Sequence, residues 1–315
     1  MGKNYGGSNS SGRGCGLITA ARSSTTRFCL SWPSMASLMI IQPLRSYLFA
    51  LLLLPACAKS QLGEIELRPE QWVLPKFLRE ASGLAVADSG FVYAHNDEKG
   101  NIYRVNIHNG TVLKVASIGK PTIRRDFEGI AASPSTIFLT TSKGTVYRTT
   151  RPDTSNGHRV INDAAVSTGL SDQCEIEGLH YDNGDLLLPC KTPLRKRFKN
   201  HLVVFRYNIE TGETSELFSI PRKNIDGIKK LRLTAIDATV SHYYLVSGNQ
   251  LVLVDRDSHA AKAYKLRKKF HKQVEGISVL DNGSILLVED NRKGLSRLTK
   301  YRSLDELKNL NSTNQ

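Results

Sequence analysis

One short phrase recurs along this chain of 315 residues, and its spacing limits the possible folds more than any other feature. Each copy joins an acidic residue to a glycine and a following apolar residue. The copies are Glu80-Ala-Ser-Gly83-Leu84, Asp126-Phe-Glu128-Gly129-Ile130, Glu175-Ile-Glu177-Gly178-Leu179 and Val274-Glu275-Gly276-Ile277. Their glycines stand 46, 49 and 98 residues apart, and 98 is two steps of 49. A period of about 48 residues with strand-like runs between predicts repeated sheet units, as in the blades of a β-propeller.

Short strand-like runs separated by turn residues fill the chain from residue 62 onward. Asn183-Gly184 and Asn282-Gly283 are typical two-residue hairpin turns. The runs predict an all-β, five-bladed propeller, with six blades as the alternative if 150–172 or 220–232 contains another. Blade five lacks an outer strand of its own, and the alternating segment Leu62–Leu67 is predicted to supply it. Closing the ring in this way removes exposed sheet edges.

The first 57 residues differ from the rest because they contain no Asp or Glu. Arg45, the apolar run 47–54 and the small residues after it form the pattern of an export signal, too short to span a bilayer. We therefore divide the chain into residues 1–38, the export signal 39–58 and the propeller domain 59–315. Residues 1–38 are an over-long gene prediction if Met39 (or Met35) is the true start, and otherwise a genuine extension.

Two cleavage sites compete within this export signal. Leu54-Pro55-Ala56-Cys57 resembles a bacterial lipobox, in which Cys57 becomes the lipidated first residue, whereas Ala56-Cys57-Ala58 fits ordinary secretion. We favour lipidation of Cys57, and Ala58 behind it resembles the pattern of outer-membrane lipoproteins. Both alternatives predict a location on the periplasmic side of the cell envelope.

The exported portion keeps an excess of positive charge, with 38 Lys and Arg against 29 Asp and Glu after residue 57. Part of this excess forms one run, which contains Lys191, Arg195, Lys196, Arg197, Lys199 and His201. A basic run can contact nucleic acid or anionic lipid. Because the protein is exported and has no aromatic platform or DNA-reading motif, we expect a solvated loop that faces an anionic membrane surface, and no nucleic acid.

Two cysteines, Cys174 and Cys190, follow the export signal. An oxidising compartment permits a disulfide between them. The hairpin register around Asn183-Gly184 places Cys190 opposite Glu177, three residues from Cys174. A bridge would therefore need a bulge in the strand, because bridged Cα atoms lie about 4.4–6.8 Å apart. The sequence does not decide whether this disulfide forms.

The repeated phrases, together with His95-Asn-Asp97 and Leu187-Leu-Pro-Cys-Lys191, resemble those of the SdiA-regulated, YjiK-like bacterial β-propellers. The resemblance covers about residues 64–302. The pattern is also similar to that of phytase-like esterase propellers, which have comparable acidic-Glu-Gly-Ile phrases. The resemblance implies an exported or membrane-associated propeller, and it implies no settled activity.

A propeller would gather carboxylates at one end of its central channel. The first strand of a blade lines the channel and the second runs antiparallel to it, so the start of one and the end of the other share a face. We expect this face to hold Glu80, Asp97, Glu128, Glu177, Glu275, Glu289 and Asp290. Converging oxygens suit Ca²⁺, which takes about six to eight oxygen ligands, and like charges raise one another's pKa.

A structural interpretation of the same residues is also open. Lys143 and Lys191 end second strands on this face, where they can pair with Glu128 and Glu177. In that case, the glycines only allow the first strands of the blades to approach one another closely at the axis. In blade four, Thr234-Ala235-Ile236 stands where the other blades carry Glu-Gly and an apolar residue.

No sequence motif indicates a catalytic site. The chain contains no GxSxG, P-loop, HExxH or GxGxxG pattern. His95 is the histidine expected near the carboxylates at the channel end. We therefore expect a monomeric, lipid-anchored binding module for a small ligand or an envelope protein, with Ca²⁺ as the candidate ion. The alternatives are a metal-dependent phosphoesterase of the phytase-like type and a structural envelope scaffold.

Overall fold

The computed structural model describes residues 68–152, 159–161, 164–291 and 294–312. Residues 1–38, the export signal with Cys57, and the segment Leu62–Leu67 lie outside these ranges. Within them, no helix has the length and apolar character needed to cross a membrane.

The described part of the chain consists almost wholly of short β-strands. In chain order these are β1 (Glu70–Val73), β2 (Ala81–Asp88), β3 (Phe91–Asn96), β4 (Asn101–Asn106), β5 (Val112–Ile118), β6 (Phe127–Ala132), β7 (Thr136–Thr141), β8 (Thr145–Thr150), β9 (Arg159–Ile161), β10 (Ala164–Ser167), β11 (Cys174–Ile176), β12 (His180–Asp182), β13 (Asp185–Pro193), β14 (His201–Asn208), β15 (Thr214–Pro221), β16 (Ile225–Asp226), β17 (Leu233–Ala238), β18 (His242–Ser247), β19 (Gln250–Asp255), β20 (Ala261–Lys265), β21 (Val274–Val279), β22 (Ile285–Glu289) and β23 (Arg297–Tyr301). Helix α1 is Leu304–Ser312, and the short 3₁₀ helices are Lys76–Leu78, Lys196–Phe198 and Arg222–Asn224.

These strands form five antiparallel blades, which confirms the predicted five-bladed propeller. From the axis outward, the blades are β2-β3-β4-β5, β6-β7-β8-β10, β11/β12-β13-β14-β15, β17-β18-β19-β20 and β21-β22-β23-β1. The described residues of the two stretches that left room for a sixth blade add only edge strands. β9 adds to β5 and β16 adds to β20, each in parallel.

An N-terminal strand closes the ring as predicted, but it is β1 and not Leu62–Leu67. β1 pairs antiparallel with β23, and Trp72 lies opposite Leu298. Gln71 Nε2 donates a hydrogen bond of 2.9 Å to Thr299 Oγ1. A Cβ built at Gly110 would lie 2.5 Å from Trp72 Cβ, so a glycine is needed where Trp72 packs. These contacts of Gln71 and Trp72 hold β1 at the outer edge of blade five.

The core lies between neighbouring blades. Each of five buried apolar clusters combines side chains from two adjacent blades, such as Tyr93 of blade one with Phe127 and Ile137 of blade two. Burying a large apolar side chain contributes about 1.5–3 kcal/mol. The inner strands are therefore held in place from both sides.

The glycines of the repeated phrase allow the inner strands to approach one another. A Cβ at Gly129 would lie 2.5 Å from the carbonyl carbon of Gly178, and one at Gly276 would lie 2.9 Å from that of Gly83. A Cβ at Gly178 would lie 3.0 Å from Cα of Ala235, which is itself small. This is the crowding at the axis that the structural interpretation of the phrase expects.

A disulfide joins Cys174 to Cys190 within blade three, with Cα atoms 5.5 Å apart. Cys190 lies opposite Ile176 and not opposite Glu177 as the hairpin count predicted. The pairing follows the hairpin count at His180 and Leu187, departs from it by one residue at Ile176, and returns to it where Glu175 lies opposite Thr192. This is the irregularity that a bridge was expected to need.

Candidate functional site

A cavity of about 460 Å³ opens at the end of the channel where the inner strands begin. All five blades contribute to its walls. Its charged lining residues are Glu80, Asp97, Asp126, Glu128, Glu177, Glu275, Asp290, Lys191, Lys230, Arg232 and Lys272. Topology explains this convergence, because each inner strand starts, and each second strand ends, at this face.

Six of the seven carboxylates expected at this face line the cavity, and Glu289 does not. Glu289 is buried and accepts a hydrogen bond of 2.9 Å from His271 Nδ1, while His271 Nε2 lies 2.6 Å from the Tyr301 hydroxyl. Asp290, which follows the last residue of β22, lines the cavity instead. Glu289 therefore belongs to a buried polar network outside the site.

The floor of the cavity is a cluster of three carboxylates around one lysine, Glu128, Glu177, Glu275 and Lys191. Glu177 is 2% exposed and Glu275 is 6% exposed. Lys191 Nζ forms an ion pair with Glu177 Oε2, as the structural interpretation expects. Gln273 Nε2 donates a 2.6 Å hydrogen bond to Glu275 Oε1. Glu177 thus holds the one ammonium of the floor, and Glu128 and Glu275 lie close enough to Glu177 to repel it.

This arrangement raises the pKa values of two of the floor carboxyls, those of Glu128 and Glu177. Burial raises the pKa of Glu128 to about 7, repulsion from Asp126 and Glu275 adds to the shift, and Lys191 opposes it. Burial also raises the pKa of Glu177, followed by its hydrogen bond with Glu275 and repulsion from that group. Burial lowers the pKa of Lys191, but attraction to Glu177 outweighs it, and the net shift is upward. At neutral pH the floor therefore retains a proton between its acids, beside a charged lysine.

Glu128 does not use Lys143, the partner proposed from the sequence, as its hydrogen-bond donor. Ser82 Oγ donates to Glu128 Oε2 over 3.2 Å, and Lys143 is exposed outside the cavity lining. Of the two predicted lysine pairs, the structure therefore contains the one between Lys191 and Glu177.

Blade one contributes a second acidic group, which is less buried. Burial raises the pKa of Asp97 to about 6, and repulsion from Glu80, Asp290 and Glu98 adds to the shift. His95 lies behind the cavity wall, where burial lowers its pKa to about 4, and its Nδ1 lies 3.0 Å from Asn96 O. His95 is therefore neutral at pH 7 and supports the backbone.

The sequence analysis missed the cationic side of the cavity. Lys230, Arg232 and Lys272 stand on the connections that enter blades four and five, and their side chains are exposed. Thr234 occupies the position of the acid in blade four, and its hydroxyl donates a 2.7 Å hydrogen bond to Val274 O. The charge of the connections before each inner strand could have indicated this side. The cavity thus has an acidic floor and a basic rim on one side.

The described residues do not offer a preformed metal centre. Over residues 68–152, 159–161, 164–291 and 294–312, no three His, Cys, Asp or Glu side chains are grouped so as to hold a metal ion. A Ca²⁺ ion would need about six to eight oxygen ligands.

No protein-family model matches the chain, and no curated protein matches it. Several solved structures are similar to it, among them the following three. Virginiamycin B lyase from Staphylococcus aureus, in complex with quinupristin, is 16% identical, covers 73% of this chain and 69% of its own, and has a TM-score of 0.40. The PQQ-bound aldose sugar dehydrogenase from Streptomyces coelicolor is 12% identical over 74% and 98% of the two chains, with a TM-score of 0.47. A streptogramin B lyase is 14% identical over 74% and 98%, with a TM-score of 0.41. The strand pairing of this chain itself shows a five-bladed β-propeller.

Proposed function

We propose that this chain is a binding module whose central cavity takes a small ligand carrying both a cationic and an anionic group. The observation that carries the proposal is the cluster of Glu128, Glu177 and Glu275 around the single ammonium of Lys191. The raised pKa values of Glu128 and Glu177 mean that keeping both of these floor carboxyls charged costs free energy. A ligand ammonium or guanidinium would displace the shared proton and form charge-assisted hydrogen bonds with the carboxylates.

The rim supplies the second half of the recognition. Lys230, Arg232 and Lys272 can meet a carboxylate or phosphate of the ligand on the side opposite the acidic floor. Exposed ion pairs are worth only about 0–1 kcal/mol each. The buried floor is therefore the source of selectivity, and the rim sets the orientation of the ligand.

The place of the module in the cell follows from the sequence. The export pattern, the lipobox at Cys57 and the resemblance to YjiK-like propellers support an envelope protein on the periplasmic side, anchored through lipid and acting as a monomer. Ca²⁺ stays a prediction for the same cavity, and the absence of a preformed group of ligands among the described residues is an argument for an organic cation. A phosphoesterase would need metal-held water, so it depends on the Ca²⁺ alternative.

The test is a melting experiment on the full chain with defined probes, namely L-lysine, L-arginine, spermidine and CaCl₂. A probe at a hundredfold excess over its Kd stabilises the folded state by about 2.7 kcal/mol. For a domain of this size, that corresponds to a rise in Tm of about 5–10 °C. The variant Glu128→Gln/Glu177→Gln should lose the response. The control Glu210→Gln/Glu213→Gln, which removes the same charge from a distant connection, should keep it.

The outcomes separate the alternatives. A rise with the amino acids supports the zwitterionic ligand, whereas a rise with spermidine alone removes the anionic half of the proposal. A rise with CaCl₂ alone supports the ion predicted from sequence, and hydrolysis of p-nitrophenyl phosphate in its presence would identify a phosphoesterase. No response to any probe, or an equal loss in the control, would overturn the cavity as the binding site and favour a scaffold.

A further inference from the structure

On blades three, four and five, the connections at one end of the propeller are mostly basic and those at the other end are mostly acidic. The connections 194–200, 222–232 and 266–273 lie at the cavity end, and together they contain thirteen Lys or Arg and a single Asp. We name these three connections the basic face. The connections of the same blades at the opposite end contain one Arg and four acids, which are Arg256, Glu210, Glu213, Asp257 and Asp281.

The positive charge of the basic face is largely unneutralised within the described chain. Arg195 pairs with Asp172, and the single acid of the face, Asp226, already pairs with Lys262. Lys196, Lys199 and Lys223 have no ion pair with the described residues and are exposed. The positive charge of the basic face is therefore available to a negatively charged partner.

The surface of the basic face combines cations with apolar groups. Two adjoining hollows of about 410 and 860 Å³ share Lys199, Asn200 and His201, and neither is lined by Asp or Glu. Leu194, which lines the first hollow beside Arg195 and Lys196, is 56% exposed. A partner for this surface should be anionic and able to accept an apolar side chain.

We propose that the basic face docks on a bilayer that contains anionic phospholipid, with Leu194 entering the interfacial layer. A membrane suits a broad face built from three connections, because basic residues near an anionic leaflet each add to the attraction. Nucleic acid fits less well, since sequence-tolerant binding of single strands uses exposed aromatic side chains. Phe198 and Phe270, the phenylalanines of the basic face, are 1% and 6% exposed. Lys230, Arg232 and Lys272 belong both to this face and to the rim of the cavity, so the experiment alters only residues of the face that do not line the cavity.

The experiment measures co-sedimentation of the full chain with vesicles of phosphatidylcholine, alone or mixed with phosphatidylglycerol. All proteins carry Cys57→Ala, so that the predicted acylation site does not contribute. The test variant is Lys196→Ala/Lys199→Ala/Lys223→Ala, whose residues do not line the central cavity. The matched control, Lys114→Ala/Arg148→Ala/Lys308→Ala, removes the same charge from strands β5 and β8 and helix α1.

We expect binding to the anionic vesicles only, and its loss as salt shortens the Debye length from about 10 Å to about 3 Å. The test variant should bind on the order of 100-fold more weakly, because it lacks three charges near the surface. The control should stay within about threefold of the parent if net charge is not the cause. Leu194→Ser should weaken binding without changing its salt dependence.

Several results would overturn the proposal. They are equal binding to neutral vesicles, an equal loss in the control, and full binding by the test variant. Binding to a single-stranded oligonucleotide without binding to anionic vesicles would identify a different partner for the basic face and would also reject the membrane.

Discussion

Replacing Glu128 with glutamine is expected to stabilise the protein at pH 8 and to change its stability little at pH 5. Burial raises the pKa of Glu128 from 4.5 to about 7, so the folded protein holds this proton more tightly than the unfolded chain. Ionising the group consequently costs more in the folded state. The free energy of unfolding therefore falls as the pH rises from 4.5 to about 7, and stays lower above that range.

The size of the effect follows from the difference in pKa. We compare the parent with a protein that has a non-titrating group at position 128. The free energy of unfolding of the parent is lower by about 3 kcal/mol at pH 8 and by less than about 1 kcal/mol at pH 5. The glutamine side chain of the variant would carry no charge at either pH, and its amide oxygen can still accept the hydrogen bond from Ser82. The variant should therefore gain up to about 3 kcal/mol at pH 8 and little at pH 5.

Urea unfolding of the two proteins at pH 5 and pH 8 measures this difference directly. Asp97 and Glu177 also have raised pKa values, so the quantity to compare is the variant minus the parent at each pH. Glu210→Gln, on the exposed connection 209–213, controls for the loss of one surface charge and should show no such change. A Glu128→Gln protein that is equally or less stable than the parent at both pH values would refute the account of the floor.

Three further perturbations test the fold and the anchor. Gly129→Ala places a Cβ against the carbonyl carbon of Gly178 and should lower the free energy of unfolding by about 2–3 kcal/mol in urea titrations. Cys174→Ser/Cys190→Ser removes a bridge between residues 16 positions apart and should lower the free energy of unfolding by about 3 kcal/mol. The parent protein with its disulfide reduced serves as the comparison. Cys57→Ala should abolish labelling by a lipid precursor and release the protein from membranes. Labelling that persists in this variant would count against the lipobox.

The blade count could be predicted because the repeated phrase serves one physical purpose in each copy. Gly83, Gly129, Gly178 and Gly276 all stand where a neighbouring inner strand or its packing leaves no room for a side chain. Blade four uses Ala235 instead, and the longer basic connection before it makes the strand begin later. A period that arises from a steric requirement at the axis can be read in a single sequence.

The closing strand and the disulfide were harder to predict because both depend on contacts between distant segments. The outer position of blade five is set by Trp72 against Gly110 and by Gln71 bonding to Thr299. No local alternation of residues 62–67 reports on those contacts. The bond between Cys174 and Cys190 likewise lies beside a local departure from the hairpin register at Ile176, which turn geometry alone does not encode.

At the candidate site too, the direction of side chains and the balance of charge could not be predicted from the sequence alone. Glu289 and Asp290 are neighbours at the end of β22, and only the contact between Glu289 and His271 shows which one turns away from the cavity. The floor contains three acids against one lysine, whereas the rim contains cations that do not neutralise it. A purely structural cluster would gain stability by pairing each acid with a base. The unequal distribution of charge within one cavity is better explained by a ligand that completes it.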